Sequence, residues 1–161
     1  MVRNGLPADV RFLRDMLHHA YYWRERAAGA VTGRYVKGWG RRGDAAVIAL
    51  ENGFPVGAAW YRLFTDREPG YGFVDEQTPE LAIAVVPGAR GKGFGDELLG
   101  ALCRRARLDG RPALSLSVDP ANPSLHLYEK HGFVKVAETD DGSWIMVSHL
   151  PSEPESTVRS E

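Results

Sequence analysis

A glycine-rich run is the stretch of this sequence best suited to bind an anion. In Arg90-Gly91-Lys92-Gly93-Phe94-Gly95 the glycines alternate, and without Cβ atoms successive backbone N–H groups can approach a phosphate closely. A helical pattern follows, so the positive end of its dipole adds to the attraction. We expect a phosphate-binding loop here; the alternative is a glycine-rich helix start that holds no ligand.

Two common phosphate loops do not match this spacing. A Walker A loop requires Ser or Thr after Gly-Lys, but Gly93 follows Lys92. A dinucleotide-binding loop requires a further glycine, and the chain has Asp96 and Leu98 at the two positions where it would fall. The run therefore belongs to neither class.

A second block contains a phenol and a possible helix cap. It reads Asn122-Pro123-Ser124-Leu125-His126-Leu127-Tyr128-Glu129-Lys130-His131-Gly132-Phe133. Together the two blocks resemble the GNAT acyltransferase superfamily. Its coenzyme A pyrophosphate loop is similar to Arg90-x-x-Gly93-x-Gly95 after an Ile-Ala-Val strand, and its later Asn…Tyr-x-x-x-Gly-Phe segment is similar to the second block. The clear resemblance covers residues 79 to 137.

The resemblance implies that acetyl-CoA is the acyl donor. Strand main chain would pair with the pantetheine arm, and an amide there would polarise the thioester carbonyl. Loop amides would surround the pyrophosphate, with Arg90 and Lys92 adding charge. Asn122 would contact the cofactor, although capping of a short helix explains this residue equally well. The implied cofactor-binding residues are Ile83, Ala84, Val85, Arg90, Gly91, Lys92, Gly93, Phe94, Gly95, Asp96 and Asn122.

Acyl transfer to an amine also needs a proton donor and a proton acceptor. By resemblance, Tyr128 stands where the family often carries the phenol that protonates the departing thiolate; the alternative is a core tyrosine. An alkyl ammonium must lose a proton before it attacks. Glu80, at the start of a strand, is the first candidate to receive this proton, with a surface residue at a strand end as the alternative. Asp75 and Glu76 are lesser candidates.

Length and composition limit the kind of protein that this sequence can encode. With 161 residues, 43% of them apolar, we predict one domain over residues 1–150. Residues 151–161 are polar and contain prolines, which predicts a disordered tail. The net charge of −1 gives no reason to expect nucleic acid, and no run approaches the ~20 apolar residues of a membrane span. A homodimer is compatible with the sequence, which offers no interface pattern.

The cysteine and histidine content predicts neither a disulfide nor a metal site. Cys103 is the single cysteine, and the five histidines have no metal-ligand spacing. We read Cys103 as a packing residue of a helix, and we expect a reducing, cytoplasmic location.

Hydrophobic patterns give the order of elements around these residues. A brief strand at 2–3 precedes a helix that begins near Pro7-Ala8-Asp9, and a second short helical piece is expected at 34–40. Strand patterns flank Asn52-Gly53, which is typical of a tight hairpin, and the long polar loop 65–79 could border a substrate site. The further elements are strands at 45–50, 56–64, 81–86, 113–118, 133–137 and 144–150, and helices at 93–108 and 124–131.

This order predicts a mixed α/β fold. The strand–helix–strand unit from 81 to 118 favours a right-handed crossover between parallel strands. The resemblance implies a GNAT-like three-layer sandwich, with a central mixed sheet of six to seven strands and about four helices. The aromatic residues Tyr21, Tyr22 and Trp23 could line an acceptor pocket, although an aromatic stripe beside a helix is more often ordinary core.

We therefore predict an N-acetyltransferase that moves the acetyl group of acetyl-CoA to a primary amine by direct attack in a ternary complex. The acceptor is a small molecule or a protein amine, and nothing in the sequence chooses between them. Two alternatives stay open: a non-catalytic module that binds acyl-CoA as a sensor or partner, and an acyltransferase that uses a longer acyl-CoA.

Overall fold

The computed structural model describes residues 1–21 and 31–151, which contain a mixed sheet of seven strands. Of the predicted features, Tyr22, Trp23 and all of the tail except Pro151 lie outside the described residues. Within the described ranges, no helix is long and apolar enough to cross a membrane.

The strand order in the sheet is β1-β2-β3-β4-β5-β7-β6, in which only the β4–β5 pair is parallel. Helices pack on both faces, so the predicted mixed three-layer sandwich is confirmed, with the larger of the two predicted strand numbers. The strands are β1 Val2–Asn4, β2 Ala45–Glu51, β3 Phe54–Arg62, β4 Glu80–Val85, β5 Ala113–Val118, β6 Val134–Glu138 and β7 Trp144–His149. Three α-helices lie wholly within the described residues, α1 Val10–Tyr21, α2 Phe94–Leu108 and α3 Leu125–Lys130, and 3-10 turns span Pro7–Asp9 and Pro87–Ala89.

The hairpin between β2 and β3 turns where the Asn-Gly pair predicts. Asn52 and Gly53 have φ of 52° and 82°, the left-handed values that a two-residue turn requires and that these residue types tolerate. The hairpin sets the antiparallel pairing that continues from β3 into β4. The hairpin therefore fixes the position of β4 beside β3.

Each face of the sheet buries its own core. On one face α2 packs its leucines, such as Leu98 and Leu102, against β-strand side chains that include Leu81. On the other face α1 packs Leu13 and Met16 against Trp60. Side chains alternate along a strand, so Glu80, Ala82 and Ala84 point to the α1 face, as the pattern predicts.

The helical piece predicted at 34–40 is wrong. Residues 31–33 are helical, but 34–38 form turns. Gly38 and Gly40 have φ of 65° and 109°, so the chain turns away from helical geometry there. The segment is held instead by tertiary bonds: buried Arg62 donates to the carbonyls of Arg34 and Lys37 at 2.9 and 2.7 Å.

Candidate active site

A cleft of about 840 Å³ opens where β4 and β5 diverge. The two parallel strands pair only at their start, where Glu80 lies opposite Ser115 and Ser115 N donates to Pro79 O at 2.9 Å. Beyond this pair the space between the strands is open as far as α3 and the start of α2. Of the predicted cofactor-binding residues, the cleft is lined by Ile83, Ala84, Val85, Arg90, Gly91, Gly93, Phe94, Gly95, Asp96 and Asn122.

The edge of β4 presents main-chain groups to this cleft. Val86 N donates to Val56 O of the β3 side, whereas Pro79 O accepts a bond from β5. Because backbone groups alternate in direction along a strand, the amides and carbonyls of Leu81, Ile83 and Val85 point toward β5. The divergence of the strands leaves this row available to an extended ligand, apart from Val85 O, which accepts a bond from Arg90 Nε.

The three alternate glycines of the loop are required for two different reasons. Gly91 and Gly93 have φ of 79° and 87°, where a side chain is strained, although a Cβ atom at either position would have no neighbour within 4 Å. Gly95 lies inside α2, and a Cβ atom there would come within 3.2 Å of Leu127 on α3. The first two glycines shape the loop, and the third lets the two helices approach.

Charges at the start of α2 favour an anion. The negative charge of Asp96 would repel an anion, but its carboxylate is bound by Lys130 at 3.2 Å and by His131 at 2.7 Å. Its hydrogen bonds to His131 and then Lys130 lower the pKa of Asp96, so it stays ionised and paired. Arg90 lines the cleft and donates to the carbonyl of Val85 at 3.3 Å.

Lys92 is the predicted cofactor-binding residue that does not line the cleft. Its ammonium pairs with Glu51 at the end of β2, 3.0 Å away, and the side chain is half exposed. Only a rotation of this long side chain would bring its ammonium group to the cleft.

Asn122 and Tyr128 reach the cleft from the segment after β5. The side-chain oxygen of Asn122 accepts a bond from Ser124 N at 2.8 Å, so it helps to form the turn before α3 while it lines the cleft. Tyr128 on α3 is 8% exposed, and its ring packs edge-on against Phe133. Burial raises the pKa of Tyr128 to about 12. No side chain in residues 1–21 or 31–151 hydrogen-bonds its hydroxyl, which leaves the proton available to a ligand.

Glu80 is not a surface residue. It is 1% exposed and does not line the cleft. Its Oε2 accepts hydrogen bonds from the hydroxyl of Tyr35 and from Gly72 N, the latter at 3.0 Å. Such bonds are required because a buried carboxylate without donors is very costly.

The loop 65–79 packs tightly around this carboxylate. A Cβ atom on Gly70 would lie 2.3 Å from Glu80 Oε1, and one on Gly72 would lie 2.6 Å from the carbonyl carbon of Leu116. The lesser candidates serve the loop itself: Asp75 accepts bonds from the amides of residues 77 and 78, and Glu76 accepts one from Asp66 N. No residue of the loop lines the cleft.

Sequence reasoning missed Tyr35. This tyrosine is fully buried, and its hydroxyl accepts a bond from Tyr71 N at 2.9 Å while it donates to Glu80. Its ring lies 4.9 Å from that of Tyr21 and 6.1 Å from that of Tyr71, so the three tyrosine rings form one cluster in which Tyr35 contacts the carboxylate. No spacing rule could have joined residues so far apart in the chain. Of the predicted aromatic residues, Tyr21 lines the cleft.

Among residues 1–21 and 31–151, no three His, Cys, Asp or Glu side chains come together as a metal site. Cys103 is buried in α2, where burial raises the pKa of its thiol, in agreement with the predicted packing role.

The cleft fits a molecule with an extended arm and a phosphorylated end. The arm would lie along the open edge of β4, and the space in front of Gly91 and Gly93 would receive the phosphates. The N-terminus of α2 and Arg90 supply positive potential at that end. These features suit coenzyme A and its thioesters.

The chain belongs to the acetyltransferase (GNAT) family, whose model matches residues 10–133. It is therefore an N-acyltransferase by class. It is 33% identical to the L-amino acid N-acyltransferase MnaT of Escherichia coli strain K12 over an alignment of 161 positions, which covers 92% of this chain and 91% of the relative.

Solved structures show the same fold. A putative acetyltransferase, yncA, from Salmonella typhimurium, solved with its cofactor acetyl-CoA, superposes with a TM-score of 0.72 at 23% identity, covering 95% of each chain. A ribosomal-protein-alanine N-acetyltransferase from Brucella melitensis superposes with a TM-score of 0.71 at 24% identity, covering 93% of this chain and 99% of that one.

Proposed function

We propose that this protein transfers the acetyl group of acetyl-CoA to a primary amine. The observation that carries the proposal is the divergence of β4 and β5, which opens a row of main-chain groups beside a glycine loop and a helix N-terminus. A fold alone would not justify this choice, because one fold hosts many functions. The choice is supported by the open main-chain row of β4 and by the positive end of α2 beside Arg90.

Acetyl-CoA supplies the acetyl group as a thioester. The main chain of Ile83, Ala84 and Val85 would hold the pantetheine arm as an added strand, and an amide on this edge would polarise the thioester carbonyl. Asn122, which lines the cleft, would contact the cofactor. The amides of residues 91–96 would hold the pyrophosphate, with Arg90 beside it and Lys92 reachable only by rotation.

The reaction itself needs three proton movements. The ammonium first loses one proton, for which Glu80 is the proposed acceptor. The amine nitrogen then forms a bond to the acyl carbon while the carbon–sulfur bond breaks, and sulfur leaves with the bonding electron pair. Tyr128 gives its hydroxyl proton to this sulfur, and the second proton that the nitrogen loses as the amide forms restores the Tyr128 hydroxyl. With a pKa of about 12, Tyr128 is fully protonated at neutral pH, so its position against the sulfur matters more than its acidity.

The acceptor we propose first is the α-amine of an L-amino acid. This choice rests on the name of the relative that is 33% identical over nine-tenths of the chain. A protein N-terminus is the second choice, on the weaker ground of a shared fold with a ribosomal-protein-alanine N-acetyltransferase. Comparing L-phenylalanine with phenethylamine, its decarboxylated counterpart, and with a peptide that begins with alanine would separate these classes.

The direct test combines binding with turnover. Acetyl-CoA should raise the melting temperature, since a ligand that binds only the native state stabilises it. Thiol release should follow when an amine is added. Tyr128→Phe should keep the thermal shift but lose about 10²-fold or more in kcat. The matched control is Tyr61→Phe, which removes a hydroxyl that binds Asp109 away from the cleft and should leave turnover unchanged.

Other outcomes would identify the alternatives. Stabilisation by acetyl-CoA without turnover on any amine would favour a non-catalytic acyl-CoA sensor or partner module. A larger thermal shift and faster release with a longer acyl-CoA would revise the donor. Absence of any shift with acetyl-CoA or coenzyme A would refute the assignment of the cleft.

A further inference from the structure

Asp96 occupies the position in α2 from which an acidic side chain often caps its own helix. Gly93 is the N-cap residue, so Asp96 is the third residue of the helix. A carboxyl side chain at this position can accept a bond from the amide of the N-cap residue. The 3-10 turn near the start of the chain shows this arrangement, because Asp9 accepts a bond from Leu6 N, three residues earlier, at 2.7 Å.

Side chains at the end of α3 hold the carboxylate of Asp96 instead. Lys130 Nζ lies 3.2 Å from Asp96 Oδ2, and His131 Nε2 lies 2.7 Å from Asp96 Oδ1. Within residues 1–21 and 31–151 the carboxylate has these two partners, and neither is a backbone amide. Lys130 and His131 do not line the cleft themselves, so they can influence it through Asp96.

Asp96 lies between two cavities. It lines the cleft, and it also lines a second cavity of about 430 Å³ that Arg104 and His131 border. On the cleft side, the amides of residues 93–96 donate to no carbonyl in the described part of the chain. These are the first amides of a helix, which have no partner inside it. A carboxylate released from α3 would therefore find unpaired donors in its own turn of helix.

We propose that Lys130 and His131 hold Asp96 away from the first amides of α2 and so keep those amides available to the pyrophosphate of acetyl-CoA. The inference rests on the proposed function, to which it adds two positioning residues. Without them, the carboxylate of Asp96 would cap its own helix. It would then compete with the phosphates for the same N–H groups, since both are anions that bind a helix N-terminus.

The packing of α2 on α3 makes this arrangement possible. Gly95 precedes Asp96, and a Cβ atom at Gly95 would come within 3.2 Å of Leu127 on α3. The missing side chain lets the two helices approach, which brings Asp96 within reach of Lys130 and His131. The glycine thus contributes to the position of the neighbouring carboxylate.

The other charged groups near this contact have different partners. Glu97, next along α2, lies 3.8 Å from the amino group of Met1, and Glu129 on α3 lies 3.7 Å from His126. Arg104 borders the second cavity but makes no ion pair with Asp96 in the structure. Lys130 and His131 are therefore the groups whose removal releases the carboxylate.

The test is a comparison of two backgrounds. A release variant combines Lys130→Met with His131→Phe, so that neither side chain can bind Asp96. The same two changes are made in an Asp96→Ala background, which has no carboxylate to release. The Kd of acetyl-CoA is measured by titration calorimetry at about 0.15 M salt, where exposed charges more than about 8 Å apart are largely screened. Lys135→Met is the matched control, because it removes a lysine that pairs with Glu138 outside the cleft.

We expect the release changes to weaken acetyl-CoA binding about fivefold more in the wild-type background than in the Asp96→Ala background. This ratio is what competition from a helix cap of ordinary strength produces. At saturating acetyl-CoA, kcat should stay within about twofold of the wild type, because the lost interaction concerns binding. Lys135→Met should bind acetyl-CoA as the wild type does.

A milder pair of variants guards against misfolding of the release variant. The side chain of Lys130 is 65% exposed, so Lys130→Met alone should fold normally. It should weaken binding by about twofold or more in the wild-type background and by less in the Asp96→Ala background. Lys130→Arg, which keeps a charged donor for Asp96, should restore the wild-type Kd.

Equal weakening in the two backgrounds would overturn the proposal, since that result is expected if Lys130 and His131 merely attract the phosphates or support the fold. Unchanged binding in the release variant would overturn it as well. Failure of the proposed function looks different. If the wild-type protein did not bind acetyl-CoA, the cleft itself would be wrongly assigned, whereas binding without turnover would leave this inference standing.

Discussion

Replacing Gly72 with alanine tests the packing that holds Glu80 in place. The added Cβ atom would lie 2.6 Å from the carbonyl carbon of Leu116 and 2.8 Å from the backbone nitrogen of Ser117. These are backbone atoms of β5, one wall of the cleft, so they cannot rotate away as a flexible side chain can. Either the loop or the strand must move.

The expected cost follows from these contacts. Overpacking of this kind costs about 1–3 kcal/mol. If the loop moves instead, the 3.0 Å bond from Gly72 N to Glu80 is lost at a similar cost. Alanine recovers about 0.4–1 kcal/mol by restricting the unfolded chain. The net loss should therefore be about 1–2 kcal/mol, which lowers Tm by roughly 2–8 °C for a domain of this size.

Urea and thermal unfolding measure this loss, and Gly88→Ala is the matched control. Neither glycine has a positive φ, and a Cβ atom on Gly88 would meet nothing within 4 Å. Gly88→Ala should be as stable as the wild type or slightly more stable. Equal stability of the two variants would refute the close packing of the loop on β5.

Two further predictions concern stability away from the cleft. Leu102→Ala, in the α2 core, should lower the free energy of unfolding in urea by about 2–5 kcal/mol. Leu108, on the same helix, is 84% exposed, so Leu108→Ala should lower it by less than about 0.5 kcal/mol. Similar losses in the two variants would contradict the assignment of the buried face. Asp9→Asn should cost about 1 kcal/mol at neutral pH, because Asp9 accepts bonds from Arg3 and from Leu6 N. The hydrogen bond with Arg3 lowers the pKa of Asp9, so this stabilisation is present above the unfolded-state pKa and is lost as the pH falls through the folded-state value. A difference between wild type and Asp9→Asn that persists in strong acid would refute the charge contribution.

Local patterns predicted most of the fold because their causes are local. Asn52-Gly53 tolerates the left-handed conformation of a tight turn, and the spacing of leucines in α2 determines which face is buried. The strand–helix–strand unit determines a parallel pair. By contrast, the helical piece expected at 34–40 is replaced by turns, since Arg62 from a distant strand binds the carbonyls of that segment.

Some features of the candidate site also follow from local patterns, whereas others depend on residues that are distant in the chain. The glycine loop, the edge of β4 and Tyr128 follow from contiguous motifs, and the structure brings them to one cleft. Lys92 could not be placed, because its partner, Glu51, lies 41 residues away. The sequence also did not predict the burial of Glu80, since a carboxylate at a strand end is ordinarily exposed.

By itself the sequence determined the order of the elements, the conformation of the turns and the glycine spacing of the loop, because these depend on neighbouring residues. Only the tertiary structure decided that β4 and β5 separate after one pair, that Tyr35 meets Glu80 across 45 residues, and that the ring of Tyr21 packs on Tyr35 at the wall of the cleft. Such contacts depend on how the two faces of the sheet are covered. The hydrogen-bond donors to a buried charge come from residues that packing brings next to it, and these residues can be distant in the sequence. Spacing along the chain therefore does not predict them.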